Sequence, residues 1–332
     1  MRANFVPCAV AVIAAAAAVS VAAAAGPPPP PTSVSGHTVT VLARGVPTPT
    51  AFAFGAGQTF VAGFGDEQHP NVKGGVYRLA GGTATRLPGS PAHVFGRAYG
   101  DGTLYVSGDG RIFAWSGWDG SRFAKSRVVA SAGNGFTGFN GIALGPGGNL
   151  YAGITLGPTK ADDYSRGNTP YANSVVVVDP HTDSITWFAT GMRQPWQPLF
   201  VPGLGGVLVS DLGQENLGKK RPVDEIVELQ EGADFGFPAC PANPATCRLY
   251  DKPFATFPAH SSPMGLATIG NKLYVALFNG TGKGPEVVSM PLRGGQDAPA
   301  LVGFAAPVVA LAAHDGELYA GDLTGGVYVS AP

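Results

Sequence analysis

Along most of the chain, apolar residues alternate with polar or small ones in short runs, and each run stops at glycine, aspartate or proline. A period of two sends successive side chains to opposite faces of a strand. One unit recurs six times: an entering strand, a turn with Gly or Asp, then a strand of the type Leu-Tyr-Val-Ala/Ser-Gly. The second strands are QTFVAG, GTLYVSG, GNLYAG, GVLVSD, NKLYVA and GELYAG, centred on Phe60, Leu104, Leu150, Leu208, Leu273 and Leu318. Their entering partners are TAFAFG, FGRAYG, NGIALG, QPLFVP, MGLATI and VALAAH.

The centres lie 44 to 46 residues apart, except for steps of 58 and 65 in the middle of the chain. One four-stranded propeller blade takes about 40–50 residues. Six copies therefore predict an all-β, six-bladed β-propeller spanning 37–332. The longer steps place insertions at Pro158 to Asn173 and at Gln214 to Ser262. The lone strand Thr38 to Ala43 is expected to complete the blade that begins near Val308. That pairing closes the ring and removes open sheet edges. A flat sandwich would explain the strands but not the repeat.

Gly 49 and Pro 30, with only 13% charged residues, agree with many short strands and turns. No window carries a long apolar stripe at the helical period. The net charge of -1 excludes a phosphate footprint, which needs a clustered basic face, so no nucleic-acid partner is expected. The basic run Lys219, Lys220, Arg221 sits beside acidic residues and reads as a solvated turn.

Arg2, the alanine-rich run Ala9 to Ala25 and the small residues before Gly26 read as an export signal over 1–25. Five prolines from Pro27 to Pro31 follow at once, which argues for removal over a stable membrane anchor. The proline-rich stretch 26–36 is expected to be a linker. After removal only Cys240 and Cys247 remain, flanking CPANPATC. In an oxidising compartment they most simply form a disulfide; two thiolates without a nearby histidine are too few for zinc. A secreted or periplasmic protein is expected.

Chemistry concentrates between Gly191 and Cys240: an arginine, a tryptophan, acidic residues from Asp211 to Glu228, and an FGFP turn. The run GMRQPWQPLFVP, VLVSDLGQENLG, PVDEI and GADFGFPAC resembles the signature of the glucose/sorbosone dehydrogenase family. That signature reads G-x-R-N-P, a strand, D-x-G-x-[ND], D-E-[IL] and Y-G-W-P. AHSSPMGLATIGNKLYVALFNGTGKGPEVV resembles the sorbosone-type branch, and GPGGNLYAG its G-P-D-G-x-L-Y-V-x-G turn. The likeness covers Thr38 to Ser330 in pattern and is specific in the central and fifth-blade segments.

The resemblance implies a propeller that binds pyrroloquinoline quinone (PQQ) and calcium at one end of its axis. It implies oxidation of a sugar or related alcohol or aldehyde, with electrons passed to an external acceptor. A histidine base takes the hydroxyl proton while hydride passes to the quinone. Arg193 falls on the family arginine near the quinone oxygens, and Gln194 replaces the usual Asn. Asp211, Leu212, Gly213 and Gln214 fall where a carboxylate and backbone carbonyls approach the calcium, and Lys283 where the fifth-blade loop gives a basic partner.

The residues can do part of this. Arg193 offers a fork for carboxylates and Trp196 a stacking face. Asp211, Glu215 and Asp224 offer hard oxygens. For Asp224 and Glu225 the competing role, pinning a loop through backbone N–H bonds, is preferred. No histidine stands where the family base lies: GNGFTGFNGIALGPGG puts Thr137 or Asn140 there, and neither accepts a proton at neutral pH. Phe237 replaces a Trp, and NGTGKG replaces a His-Gly-Ser-Trp-Asn-Arg loop. His260, just before a blade-entering strand, is the candidate substitute base; its alternative is to cap a loop or bond a carbonyl. His69 with Asp66 and Glu67 is a weak metal cluster. His37, His93, His181 and His314 are assigned no role.

Three functions compete. One is a secreted quinoprotein dehydrogenase using Arg193, Asp211 and His260. Another is a non-catalytic propeller that binds a carbohydrate or protein on the same face. The third is a metal-dependent lactonase-type enzyme. Fold alone does not separate them.

Overall fold

The computed structural model describes residues 26–66, 69, 71–133, 136, 138–154 and 171–332. The expected export signal, Glu67, Thr137 and most of the expected first insertion lie outside the described residues.

The predicted repeat becomes six antiparallel sheets. Blade 1 is Pro49–Gly55, Gln58–Gly65, Lys73–Ala80 and Thr83–Arg86, and blade 2 is Val94–Gly100, Thr103–Gly108, Arg111–Trp118 and Phe123–Ser131. Blade 3 is Ile142–Leu144, Leu150–Ile154, Ser174–Asp179 and Ser184–Thr190; blade 4 is Pro195–Val201, Gly206–Asp211, Asp224–Glu228 and Ala255–Phe257. Blade 5 starts Pro263–Ile269, Lys272–Leu277, Glu286–Pro291 and Ala298–Val302. Blade 6 is Val308–His314, Glu317–Asp322, Val327–Ser330 and, from the other end of the chain, Thr40–Ala43. This last pairing is the expected closure: Thr40 faces Val329 and Val41 faces Tyr328.

First strands of successive blades pack against one another around the ring and so form its inner wall. The alternation seen in the sequence puts apolar residues between blades. Phe60, Val76, Leu104 and Trp115 join blades 1 and 2, while Ile112, Ile142, Leu150 and Val176 join blades 2 and 3. Burying each such side chain contributes about 1.5–3 kcal/mol. A glycine is required where blades 3 and 4 meet: a Cβ on Gly153 would stand 2.2 Å from the Pro195 carbonyl oxygen. Trp196 and Phe95, from blades 4 and 2, meet edge-on across the ring with centroids 6.2 Å apart.

The first strands of blades 1, 2, 4, 5 and 6 carry a register shift near their start, as between Val94 and Gly96 or between Pro195 and Pro198. A bulge there re-aims the side chains that follow.

Two features depart from expectation. Thr32–Ser33, inside the expected linker, pairs with Ala298–Val302 as a fifth strand of blade 5, and Ser33 is buried. An outer strand has free backbone groups, and this short segment satisfies some of them. The second insertion also does more than extend blade 4. Backbone N–H groups of Gly232, Phe235 and Phe237 donate to the carbonyls of Phe188, Thr190 and Gly191. The segment thus covers the outer strand of blade 3 before forming a short helix, Ala239–Ala242, and a 3-10 turn, Pro244–Leu249. The expected disulfide joins Cys240 to Cys247 across them. Among the described residues no helix is long and apolar enough to cross a membrane.

Candidate functional site

Antiparallel strands alternate direction, so the connections between blades and the turns between second and third strands share one end of the ring. Arg193, Gln194, Asp211, Gly213, Gln214, Glu215, His260 and Lys283 all lie at that end. Arg193 and Asp211 also line one cavity of about 230 Å³. Gly213, Gln214, Arg221, Glu225, Phe235, Phe237 and the two disulfide cysteines complete most of its wall. Among the described residues, none that lines it comes from blades 1, 2, 5 or 6. The cavity is therefore at the rim, between blades 3 and 4, and not at the end of the axis where the resemblance places its cofactor.

The floor is a clamp. Asp211 Oδ2 accepts the Arg193 backbone N–H at 3.1 Å and Oδ1 accepts that of Gln194 at 2.7 Å. The Arg193 guanidinium donates to the Gly213 carbonyl at 3.0 Å and leans on Gln194 Oε1 at 3.4 Å. Asp224 pins the loop on both sides, accepting Gly213 N–H at 2.7 Å and Ser262 N–H at 2.9 Å, as preferred from the sequence. Arg193, Gln194, Asp211, Gln214 and Asp224 are all buried. Burial pushes the Asp211 carboxyl up to about 8, against the pull of its two N–H donors and Arg193. Burial likewise raises Asp224 to about 6 and Glu225 to about 7. Glu225 sits directly across from Asp211 on the neighbouring strand.

Several expected roles do not match these positions. Trp196 is 1% exposed, packs against Phe95 and is not in the cavity wall, so it presents no stacking face. His260 is no poised base. Its Nδ1 meets Glu215 Oε2 at 2.6 Å and its Nε2 meets the Gly218 carbonyl at 3.0 Å. The Gly218 carbonyl, then Glu215, raise its pKa, which favours the imidazolium over a proton acceptor. This is the alternative role, bonding a carbonyl and holding a loop. Lys283 is exposed on the blade 5 loop and takes no part in the cavity wall. Asn140 is buried and donates to the Pro195 carbonyl at 2.7 Å. His69 pairs with Asp66 at 2.7 Å on an exposed loop.

The described residues do not fit calcium and PQQ in this cavity. Calcium takes about 6–8 oxygen ligands. Here Asp211 holds two N–H groups, the Gly213 carbonyl holds a guanidinium and Glu215 holds His260. Among the described residues no group of three or more His, Cys, Asp or Glu side chains is placed to hold a metal. A tricarboxylate beside Asp211, Glu225 and Asp224 would meet like charge or force those carboxyls to stay protonated.

Sequence reasoning missed Glu225 and Arg221 as cavity residues, treating one as a loop pin and the other as solvated. The available signal was their nearness to D-x-G and FGFP, since both motifs also contribute to the wall.

No protein-family model matches the chain, and no curated protein matches it significantly. Solved structures do match in shape. The PQQ-bound form of an aldose sugar dehydrogenase from Streptomyces coelicolor is 19% identical with a TM-score of 0.64; the match covers 91% of this chain and 99% of that one. A calcium structure of a carbohydrate-active enzyme from Trichoderma reesei is 18% identical, with a TM-score of 0.69 over 91% and 97%. The holo form of a pyranose dehydrogenase PQQ domain from Coprinopsis cinerea is 14% identical, with a TM-score of 0.66 over 92% and 98%. At these identities the likeness shows the six-bladed fold.

Proposed function

We propose that this chain is an exported, sugar-handling propeller of the glucose/sorbosone dehydrogenase kind, taking a sugar or a related alcohol or aldehyde at the end of the ring that carries Arg193. The observation behind it is the single cavity shared by Arg193, Asp211, Gln214 and Glu225. Gln214 Oε1 and the Glu225 carboxyl offer acceptors for hydroxyls, Arg193 and Arg221 offer donors, and Phe235 and Phe237 give apolar walls. Export is supported by the alanine-rich leader and by the Cys240–Cys247 disulfide.

Binding without quinone chemistry is the version these residues favour. His260 is tied at both nitrogens, and the oxygens near Asp211 are occupied by protein donors. The oxidative version is favoured by the likeness to PQQ-bound dehydrogenases. In that version PQQ would supply hydride-accepting chemistry, and an external electron acceptor would be needed besides.

Calorimetry of the mature protein with aldoses and polyols tests the shared part. Saturable binding that weakens at least tenfold in Arg193→Ala is expected, and no binding across the panel sinks the proposal. Repeating the titration with PQQ and calcium, and following dye reduction, separates the versions. Sugar-dependent turnover would establish the oxidative one.

A further inference from the structure

Away from the rim, the inner wall of the ring holds a buried cation. Arg97 lies on the first strand of blade 2, opposite Val106, and is 2% exposed. Its Nη2 donates to the Ala51 carbonyl on the first strand of blade 1, and its guanidinium carbon stands 6.0 Å from the Phe52 ring centroid. Nε and Nη1 are buried with no hydrogen-bond partner among the described residues. Burial pulls the pKa well below the usual arginine value.

Blade packing does not ask for this charge. At the same register the first strands of blades 1, 4, 5 and 6 carry Phe52, Pro198, Leu266 and Leu311. A second donor on a first strand, in blade 4, is also unanswered among the described residues. Trp196 Nε1 is buried without a partner, and its ring meets Phe95, two residues before Arg97. Both leftovers are donors, so the shortage is of acceptors. A guanidinium holds its proton more tightly than any other side chain, which makes a bound acceptor the cheaper remedy.

We propose that the ring binds a small inorganic anion at Arg97, between the first strands of blades 1 and 2. One positive charge among Ala51, Phe52 and packed blades suits a monovalent, weakly hydrated ion of the halide class. A phosphate would leave net negative charge buried there.

Chloride is the probe. Replacing gluconate by chloride at constant ionic strength should raise the melting temperature by roughly 3–6 °C over a hundredfold increase. In Arg97→Met that rise should vanish, while Arg193→Ala keeps it. Crystals grown in bromide should show an anomalous peak within hydrogen-bonding distance of Arg97, a readout that holds even where Arg97→Met fails to fold. A melting temperature indifferent to chloride, or bromide crystals with only water beside Arg97, overturns the site.

Discussion

Blades 2 and 4 solve the same problem in two ways. In blade 2, Asp109 accepts the backbone N–H groups of Ala92 and His93, the connection arriving from blade 1, at 2.8 and 3.1 Å. In blade 4, Asp211 does this for Arg193 and Gln194. Asp109 is followed by a tight turn and keeps 41% of its side chain exposed. Asp211 lies under the loop 212–223 and the insertion that follows, and is buried. One carboxylate is a solvated fastener. The other, by being roofed over, becomes the floor of a cavity and carries a strongly raised pKa. A site arises here by covering a structural clamp that blade 2 leaves open.

The contrast can be broken most forcefully at Asp211 itself. Asp211→Ala strands two buried N–H groups and should cost about 2–4 kcal/mol in urea unfolding, whereas Asp109→Ala, whose donors regain water, should cost about 1 kcal/mol or less. Removing the roof's cross-link comes next. Replacing Cys240 and Cys247 by serine opens a short loop, should cost about 2 kcal/mol, and should weaken sugar binding, since both cysteines line the cavity.

The pH dependence sharpens the comparison further. Glu225 and Asp211 have folded pKa values of about 7 and about 8, above their ordinary 4.5 and 3.8. Their contribution is complete below the ordinary values and is lost as pH rises through 7 and 8. Stability should fall over that window, and Glu225→Gln should flatten the fall. The smallest effect belongs to His260. Its raised pKa means its hold on Glu215 and Gly218 is full below about 6.5 and fades as pH rises through the folded value. Hydrogen exchange in 215–218 should quicken with pH in the wild type and be fast at every pH in His260→Ala.

The fold was legible because each blade repeats one local pattern, and the ring follows from counting copies. Arg193 and Asp211 were legible as a pair because one lies in the connection between two blades and the other ends a second strand, which fixes both on one side of the ring. Trp196 was not. The register shift between Pro195 and Pro198 breaks the two-residue alternation, so parity along the strand no longer tells which way a side chain faces. His260 meets a glutamate 45 residues earlier on a different loop, a contact that no local spacing encodes. The sequence marked the second insertion as surplus length, but its return along blade 3 depends on an unpaired outer strand far from it in the chain. That return brings Phe235, Phe237 and both cysteines into the cavity wall.

Thr40–Ala43 belongs to a sheet whose other three strands are the last of the ring to be made. The first residues of the ring must therefore wait, unpaired in their own blade, until every other blade has emerged. Any break between Val327 and Ser330 unlatches both ends of the ring at once. A chain cut short within Val327–Ser330 is thus expected to open as a whole, while one permuted so that Ser330 runs on into Thr40 should close sooner and stay shut longer.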